Sequence, residues 1–357
     1  MNDTIGQVIK GKRRFAFVSG ECFESLKRIP DHTINCVITS PPYWQLREYD
    51  TGLNGHHVIG SERNPNDYVE NLVRIFNEVK RVLTKDGSLW LNLGDKYHNK
   101  QLMGMPWRVA LSMMENGWIL RNDIIWDQMK GTQSAKDRLR DVYEHVFHFV
   151  QSKKYYYAHD EIRISPKKRP RKSNGKMVSA TGVSGKKYRD QIGESDFLSM
   201  EEKKHALEAL ENTLKEMTEG IIVDFRMTIR GVQRTFHSDK TKVSGRAKEL
   251  ENKGFYILKM RANGHLPSDI WRIVPEDQWR KDSHYAVFPE ELLTSPIKAT
   301  CPENGIVLDP FSGTGSAVYS AVKLRRKGIG IELSEKYNSF AEKRLANLKV
   351  IHQLSLS

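Results

Sequence analysis

The chain has 357 residues, 38% of them hydrophobic, with 57 Lys and Arg against 44 Asp and Glu and a formal net charge of +13. That length holds one large α/β domain plus a second module, and the apolar share supports a real core, which excludes a disordered chain. The positive balance favours a polyanionic partner, nucleic acid being the commonest.

Arg14 to Ser19 (RFAFVS) reads as a strand and Cys22 to Ile29 as a helix closed by Pro30. Ile34 to Thr39 (INCVIT) is an apolar run of strand length that meets Ser40-Pro41-Pro42 at once. Residues 44–66 are polar and rich in Gly, Asn and His, which predicts a long loop. Asn66 to Thr84 places Tyr68, Leu72, Ile75, Phe76, Val79 and Leu83 on one helix face. Gly87 to Leu93 predicts a strand, Pro106 to Glu115 a helix, and Trp118 to Trp126 and Tyr143 to Val150 two more strands.

Composition then changes. Ile164 to Arg189 carries nine Lys or Arg and no Asp or Glu, with Gly, Ser and Pro interleaved, which predicts a flexible basic segment outside any core. Leu198 to Met217 predicts an amphipathic helix with Leu207, Leu210, Leu214 and Met217 as its stripe. After this insert the βα rhythm returns. A helix opens at Phe288 with Pro289 in its first turn, and Gly305 to Asp309 is a strand. Ser316 to Arg326 is a helix, Lys327 to Glu332 a strand, and Ser334 to Leu348 a helix capped by Ser334. Strand alternating with helix predicts a doubly wound, mostly parallel Rossmann-like sheet.

Two strand ends carry chemistry. In VLDPFSGTGSA an apolar strand ends in Asp309, followed by Gly313-Thr314-Gly315 and a helix. Glycines there permit a tight turn and close approach of a ligand to the backbone. The next strand ends in Glu332, and a carboxylate so placed can hold ribose hydroxyls. Val318 stands where a third dinucleotide-type glycine would be, and no Gly-Lys-Ser/Thr makes this a phosphate loop. In Ser40-Pro41-Pro42-Tyr43-Trp44 the two prolines remove two N–H donors, so the turn offers acceptors to an –NH₂ group. Tyr43 and Trp44 add flat faces on which a base can stack. An ordinary tight turn explains either segment taken alone.

Together, and in this order, the segments resemble the β class of amino-group DNA methyltransferases, in which the catalytic motif precedes the cofactor motif. DYVENLVRIFNEVKRVLTKDGSLWLNLGD (67–95), GWILRNDIIW (117–126), EHVFHFVQSKKYYY (144–157) and HYAVFPEEL (284–292) are similar to further segments of that family. The resemblance implies a circularly permuted class I methyltransferase. Its catalytic half spans 1–158 and its cofactor-binding half 264–357, with a target recognition domain inserted at 159–263. It implies S-adenosylmethionine as cofactor, bound by Asp309, Phe311, Gly313, Gly315, Glu332, Phe288, Pro289 and Glu21, the last standing where the family has Asp. It implies that Ser40, Pro41, Pro42 and Tyr43 form the catalytic turn and that the target is double-stranded DNA with a flipped-out base. Trp44 and the insert's Lys167, Lys168, Arg169, Arg171, Lys172, Lys186 and Lys187 are expected to contact that DNA.

Ser at the head of the turn resembles the cytosine-N4 enzymes; adenine N6 is the alternative, and a non-catalytic DNA-binding protein of the same fold a more distant one. A nicotinamide oxidoreductase lacks a catalytic pair here. An RNA or protein methyltransferase fits the motif order and basic insert less well. Cytosine C5 chemistry needs a Pro-Cys nucleophile, whereas Cys22, Cys36 and Cys301 follow Glu, Asn and Thr. Those cysteines form no Cys-x-x-Cys pair, and His56-His57 has no third ligand at helpful spacing, so no metal is expected. The first residues lack an apolar signal core, and a cytoplasmic protein of a restriction-modification system, beside an endonuclease, is the expectation.

Overall fold

The computed structural model describes residues 4–46, 58–129, 136–173, 175–232, 245–275 and 288–348. The sequence expectations for His56, His57, His284, Tyr285, Ala286 and Val287 lie outside the described residues. The chain packs as two compact units, residues 1–162 with 268–357, and residues 163–267.

The first unit opens with α1 (Thr4–Ile9), β1 (Phe15–Ser19), α2 (Cys22–Leu26), β2 (Ile34–Thr39), α3 (Pro65–Val82) and β3 (Leu83–Leu93). A short hairpin of β4 (Tyr97–His98) and β5 (Gln101–Leu102) follows, then α4 (Met105–Glu115), β6 (Ile119–Asp127) and β7 (Tyr143–Val150). The second unit holds β8 (Arg171–Ser173), β9 (Lys176–Val178), α5 (Lys186–Gly193), α6 (Met200–Thr218), β10 (Ile222–Ile229), α7 (Gly245–Lys253) and β11 (Phe255–Arg261). The chain returns to the first unit with β12 (Ile270–Arg272), α8 (Glu290–Thr300), β13 (Ile306–Asp309), α9 (Ser316–Lys323), β14 (Lys327–Glu332) and α10 (Glu335–Ala346).

Among the described residues the first unit builds an eight-stranded sheet in the order β1-β14-β13-β2-β3-β7-β6-β12. The pairs from β1 to β3 are parallel, β7 runs antiparallel to both β3 and β6, and β12 is parallel to β6. This is the doubly wound, mostly parallel sheet expected. β2 shows why its sequence is a continuous apolar run. Val37 packs into one core with α3 and α4 residues, while Cys36 and Ile38 pack into another with residues of α8 and α9. A strand covered on both faces has no polar side to alternate. The helix α3 starts at Pro65, whose fixed φ suits the first turn, after Asn64 has capped it by accepting from the Asn66 N–H. Its buried face is Tyr68, Leu72, Ile75, Phe76 and Val79, and removing a side chain like Phe76 costs about 3–5 kcal/mol.

The second unit corrects two expectations. The basic segment is not structureless: it supplies the β8–β9 hairpin and the start of α5, and buries Ser179. On α6 the buried stripe is Ala206, Leu210, Thr213 and Met217, with Leu207 exposed. Small Ala206 and Thr213 lie inside because the helix packs closely over β10, and Thr213 returns its hydroxyl proton to the Ala209 carbonyl. In the first unit Pro289 is the N-cap of α8, one residue outside the helix, and Ser334 precedes α10 without a side-chain capping bond. The Ser334 N–H instead donates to Glu332 Oε1.

Candidate active site

β13 and β2 are neighbours in the sheet, with Leu308 opposite Val37. From β13 the chain winds through α9 to β14 on one side; from β2 it winds through α3 to β3 on the other. Such a switch point leaves a crevice at the strands' carboxyl ends, where open α/β sheets bind ligands. Here the two ends are joined directly: Thr39 Oγ1 donates to Asp309 Oδ1 over 2.7 Å. The two sequence motifs, far apart in the chain, are thus one place in the molecule.

The glycine end presents N–H donors and carboxylates. Asp309, buried, also accepts from the Phe311 N–H at 3.1 Å. Burial pushes its carboxyl up to about 7; the Thr39 and Phe311 hydrogen bonds oppose this and the Glu332 charge adds to it. Glu332 is also raised, by burial, against the pull of the Ser334, Gly313 and Leu333 backbone donors. Its Oε2 accepts from Gly313 N at 2.9 Å, which brings the end of β14 onto the loop. Gly313 has φ +48° and open space where a Cβ would stand. Gly315 has φ +76°, but a Cβ there would lie 2.7 Å from Ala341 Cβ and from the Phe17 ring. The first glycine leaves the backbone approachable; the second is a packing residue. Phe311 is half-buried against the main core. Phe288 packs against the core containing Ile38 and Trp90, and buried Pro289 caps α8 beside it.

The proline end presents acceptors. The turn is held from behind, because Tyr68 OH donates to the Pro42 carbonyl at 2.9 Å and Gln45 N to Gly60 O at 2.6 Å. Among the described residues no donor reaches the Pro41 carbonyl. The Ser40 hydroxyl donates to Tyr43 OH at 3.1 Å, and Tyr43 OH lies 2.6 Å from Glu144 Oε2 and 3.2 Å from Asn92 Oδ1. Burial, and then the Glu144 charge, push the Tyr43 phenol well above its ordinary value. Its ring lies on bare Gly94, where a Cβ would sit 2.7 Å from Cε2.

One sequence assignment changes. Trp44 is 3% exposed, belongs to the main core and donates its indole N–H to the Glu62 carbonyl at 2.8 Å, so it anchors the turn and offers no face to DNA. An aromatic next to a polar turn reads as a surface stacker only until its partner is known. Glu21 also caps α2, accepting from Phe23 N at 3.0 Å and Glu24 N at 2.8 Å. At Gly315 the Cβ direction is filled by Ala341 and Phe17. Lys167, Lys168, Arg169, Arg171, Lys172, Lys186 and Lys187 are all exposed on the second unit. Arg169 donates to the Ala262 carbonyl at 3.2 Å, and among the described residues none of the seven has an acidic partner.

Glu144 and Asn92 were absent from the sequence reading. Their signal was a lone polar residue in an apolar strand: Asn92 interrupts GSLWLNL, and Glu144 heads EHVFHFV. Cys22, Cys36 and Cys301 are buried, and burial raises all three thiols, Cys36 to about 12. None offers the thiolate that attack on a ring carbon requires. Among the described residues no group of three or more His, Cys, Asp and Glu could hold a metal ion, and no helix is long and apolar enough to cross a membrane.

A glycine-loop strand beside an acceptor turn, at the switch point of this sheet, defines an α/β methyltransferase of the amino-group type. The family model described as DNA methylase, of the N6/N4 methyltransferases, matches residues 34–343. The type II methyltransferase M.SfiI of Streptomyces fimbriatus is 31% identical, over 90% of this chain and 89% of its own. The type II methyltransferase M.SmaI of Serratia marcescens is 27% identical over 93% and 91%. Among solved structures, the PvuII DNA methyltransferase (cytosine-N4-specific) aligns with a TM-score of 0.57 at 16% identity, over 95% of this chain and 91% of that one, a likeness of fold. The chain belongs to the N6/N4 DNA methylase family.

Proposed function

We propose that this chain methylates the N4 amino group of a cytosine flipped out of double-stranded DNA, with S-adenosylmethionine as donor, within a restriction-modification system that pairs it with an endonuclease. The observation that carries the reading is the Thr39–Asp309 hydrogen bond, which sets an acceptor turn headed by Ser40 beside a glycine loop that can take a cofactor. Two type II methyltransferases among its relatives support the biological setting.

The glycine end fits the donor. Approachable Gly313 and the Glu332 carboxylate beside it suit an adenosine's ribose, with Asp309, Phe311, Phe288 and Pro289 as the other residues that would hold the molecule. When bound, S-adenosylmethionine supplies a methyl group activated on a sulfonium. The chain's own work lies at the amine. An exocyclic amino nitrogen shares its lone pair with the ring and is a poor nucleophile. Acceptors on its two protons, here Ser40 Oγ and the Pro41 carbonyl, localise that pair. Positive charge grows on the nitrogen as it is methylated, so these acceptors stabilise the transition state more than the ground state. Tyr43 stacks on the extruded base and holds it in line. The second unit, as target recognition domain, holds phosphates with Lys167, Lys168, Arg169, Arg171, Lys172, Lys186 and Lys187.

The test is transfer of label from methyl-labelled S-adenosylmethionine to unmethylated genomic DNA by the purified chain. Label is expected in the DNA, and Asp309→Ala is expected to abolish it through lost cofactor binding. A chain that binds DNA but transfers nothing would be the non-catalytic alternative.

A further inference from the structure

We infer that Glu144 is a positioning residue for the methyl transfer: it fixes the direction of the hydrogen bonds running through Tyr43 to Ser40, leaving Ser40 Oγ able only to accept. This rests on the amino-methyltransferase reading above. A phenol has one proton to give. Glu144 Oε2, 2.6 Å from Tyr43 OH, is a carboxylate oxygen, which only accepts. The other neighbour, Asn92, turns its carbonyl oxygen to the phenol at 3.2 Å because its amide nitrogen is committed to the His145 carbonyl at 3.1 Å. The Tyr43 proton therefore points away from Ser40, and the short charged bond takes it. The only way for Ser40 to bond the phenol is to donate, as it does over 3.1 Å. With its single proton spent, Ser40 has only lone pairs for a third partner. Such a group welcomes an –NH₂ and rejects a ring carbonyl or unprotonated ring nitrogen.

The fold keeps this chain rigid. Glu144 Oε1 accepts from Gln128 Nε2 at 2.8 Å, so the carboxylate is tethered from β6's end. β7 lies antiparallel beside β3 with Val146 opposite Asn92, which brings both phenol partners to the carboxyl end of β3. Bare Gly94 under the ring leaves Tyr43 one seat. Burial and the neighbouring carboxylate keep the phenol protonated at any ordinary assay pH, so the chain retains the proton it needs.

A double-mutant cycle on the full chain tests this, with Glu144→Gln, Tyr43→Phe and the pair. Single-turnover transfer from labelled S-adenosylmethionine to unmethylated genomic DNA is measured beside the cofactor dissociation constant. Gln can donate to the phenol, so E144Q is expected to slow transfer by roughly tenfold or more, the worth of a hydrogen bond to a charged group. Cofactor affinity is expected to stay unchanged. In the Y43F background E144Q is expected to add nothing, because the link it acts through is gone. Two results overturn the inference: an E144Q rate equal to wild type, or an E144Q slowing of the same size with and without the Tyr43 hydroxyl. If E144Q loses its fold by circular dichroism, Gln128→Leu, which removes only the tether, takes its place in the cycle, with a smaller slowing and the same dependence on Tyr43. An inactive wild type overturns the methyltransferase reading and the inference with it; an active wild type with an uncoupled cycle overturns the inference alone.

Discussion

At the end of β13 the chain turns through glycines; at the end of β2, its neighbour, it turns through prolines. Proline deletes N–H donors and leaves carbonyls, whereas glycine keeps its N–H and allows left-handed backbone. So one end is a set of acceptors around Ser40, and the other a set of donors gathered on Asp309 and Glu332. The difference teaches how adjacent central strands, finished with opposite backbone chemistry, suit the two unlike molecules of the proposed reaction, an amine and a cofactor. Each end is also braced differently. The proline turn leans on aromatic groups, Tyr68 and Trp44, while the glycine loop leans on carboxylates.

Breaking the two ends separately should therefore give separable losses. The largest is expected from Trp44→Ala, which empties a core position and removes one of the two donors to the Glu62 carbonyl among the described residues, the other being Gln45 Nε2: about 3–5 kcal/mol of stability, read by urea unfolding. A stable W44A with weakened DNA binding would restore Trp44 as a surface stacker. Ser40→Ala is next, with single-turnover transfer slowed by about 10²–10³-fold, as for loss of one preorganised partner in other enzymes. Cofactor affinity, by calorimetry, should not move; if it alone collapsed, the division between the two ends would be wrong.

The two glycines sharpen the comparison within one loop. Gly315→Ala meets Ala341 and Phe17 and is expected to cost about 1–3 kcal/mol for overpacking, on top of its left-handed backbone. Gly313→Ala meets open space, so its stability loss is the backbone penalty of about 1–2 kcal/mol, and its main effect is weaker cofactor binding. Equal cofactor losses in both variants would place the Gly315 backbone at the cofactor alongside Gly313.

The smallest expected effect is on pH dependence. Burial raises the Asp309 carboxyl from an ordinary 3.8 to about 7, so the folded state holds a proton that the unfolded chain has released. Its contribution to stability falls as pH rises from about 4 to about 7 and is level above that. Asp309→Asn removes this slope, so variant and wild type should converge at low pH and separate towards neutrality in thermal unfolding. Buried His148, lowered to about 3 by burial first and Arg121 second, acts in the opposite sense, losing stability as pH falls below its ordinary 6.5. The D309N difference isolates the first slope from the second.

Much of the fold was legible because it is local. β2 and β13 are short apolar runs with Pro or Gly close at their ends, and α3 shows its face at helical spacing. The site was half legible. Ser40, Tyr43, Asp309, Gly313 and Glu332 stand at strand ends that the residues themselves announce. What stayed hidden depends on pairing between distant strands. Glu144 reaches Tyr43 only because β7 lies antiparallel beside β3, and no spacing in the chain expresses that. Trp44 misled for a related reason: a buried partner, Glu62, claimed it first. In the insert the run of positive charge masked the hairpin and α5 beneath it.

The base that receives the methyl group is the most direct test of an acceptor turn headed by serine. DNA methylated by the wild-type chain is digested to nucleosides and the modified nucleoside identified by mass. N4-methylcytosine is the expected product; finding N6-methyladenine alone would contradict the cytosine assignment built on Ser40.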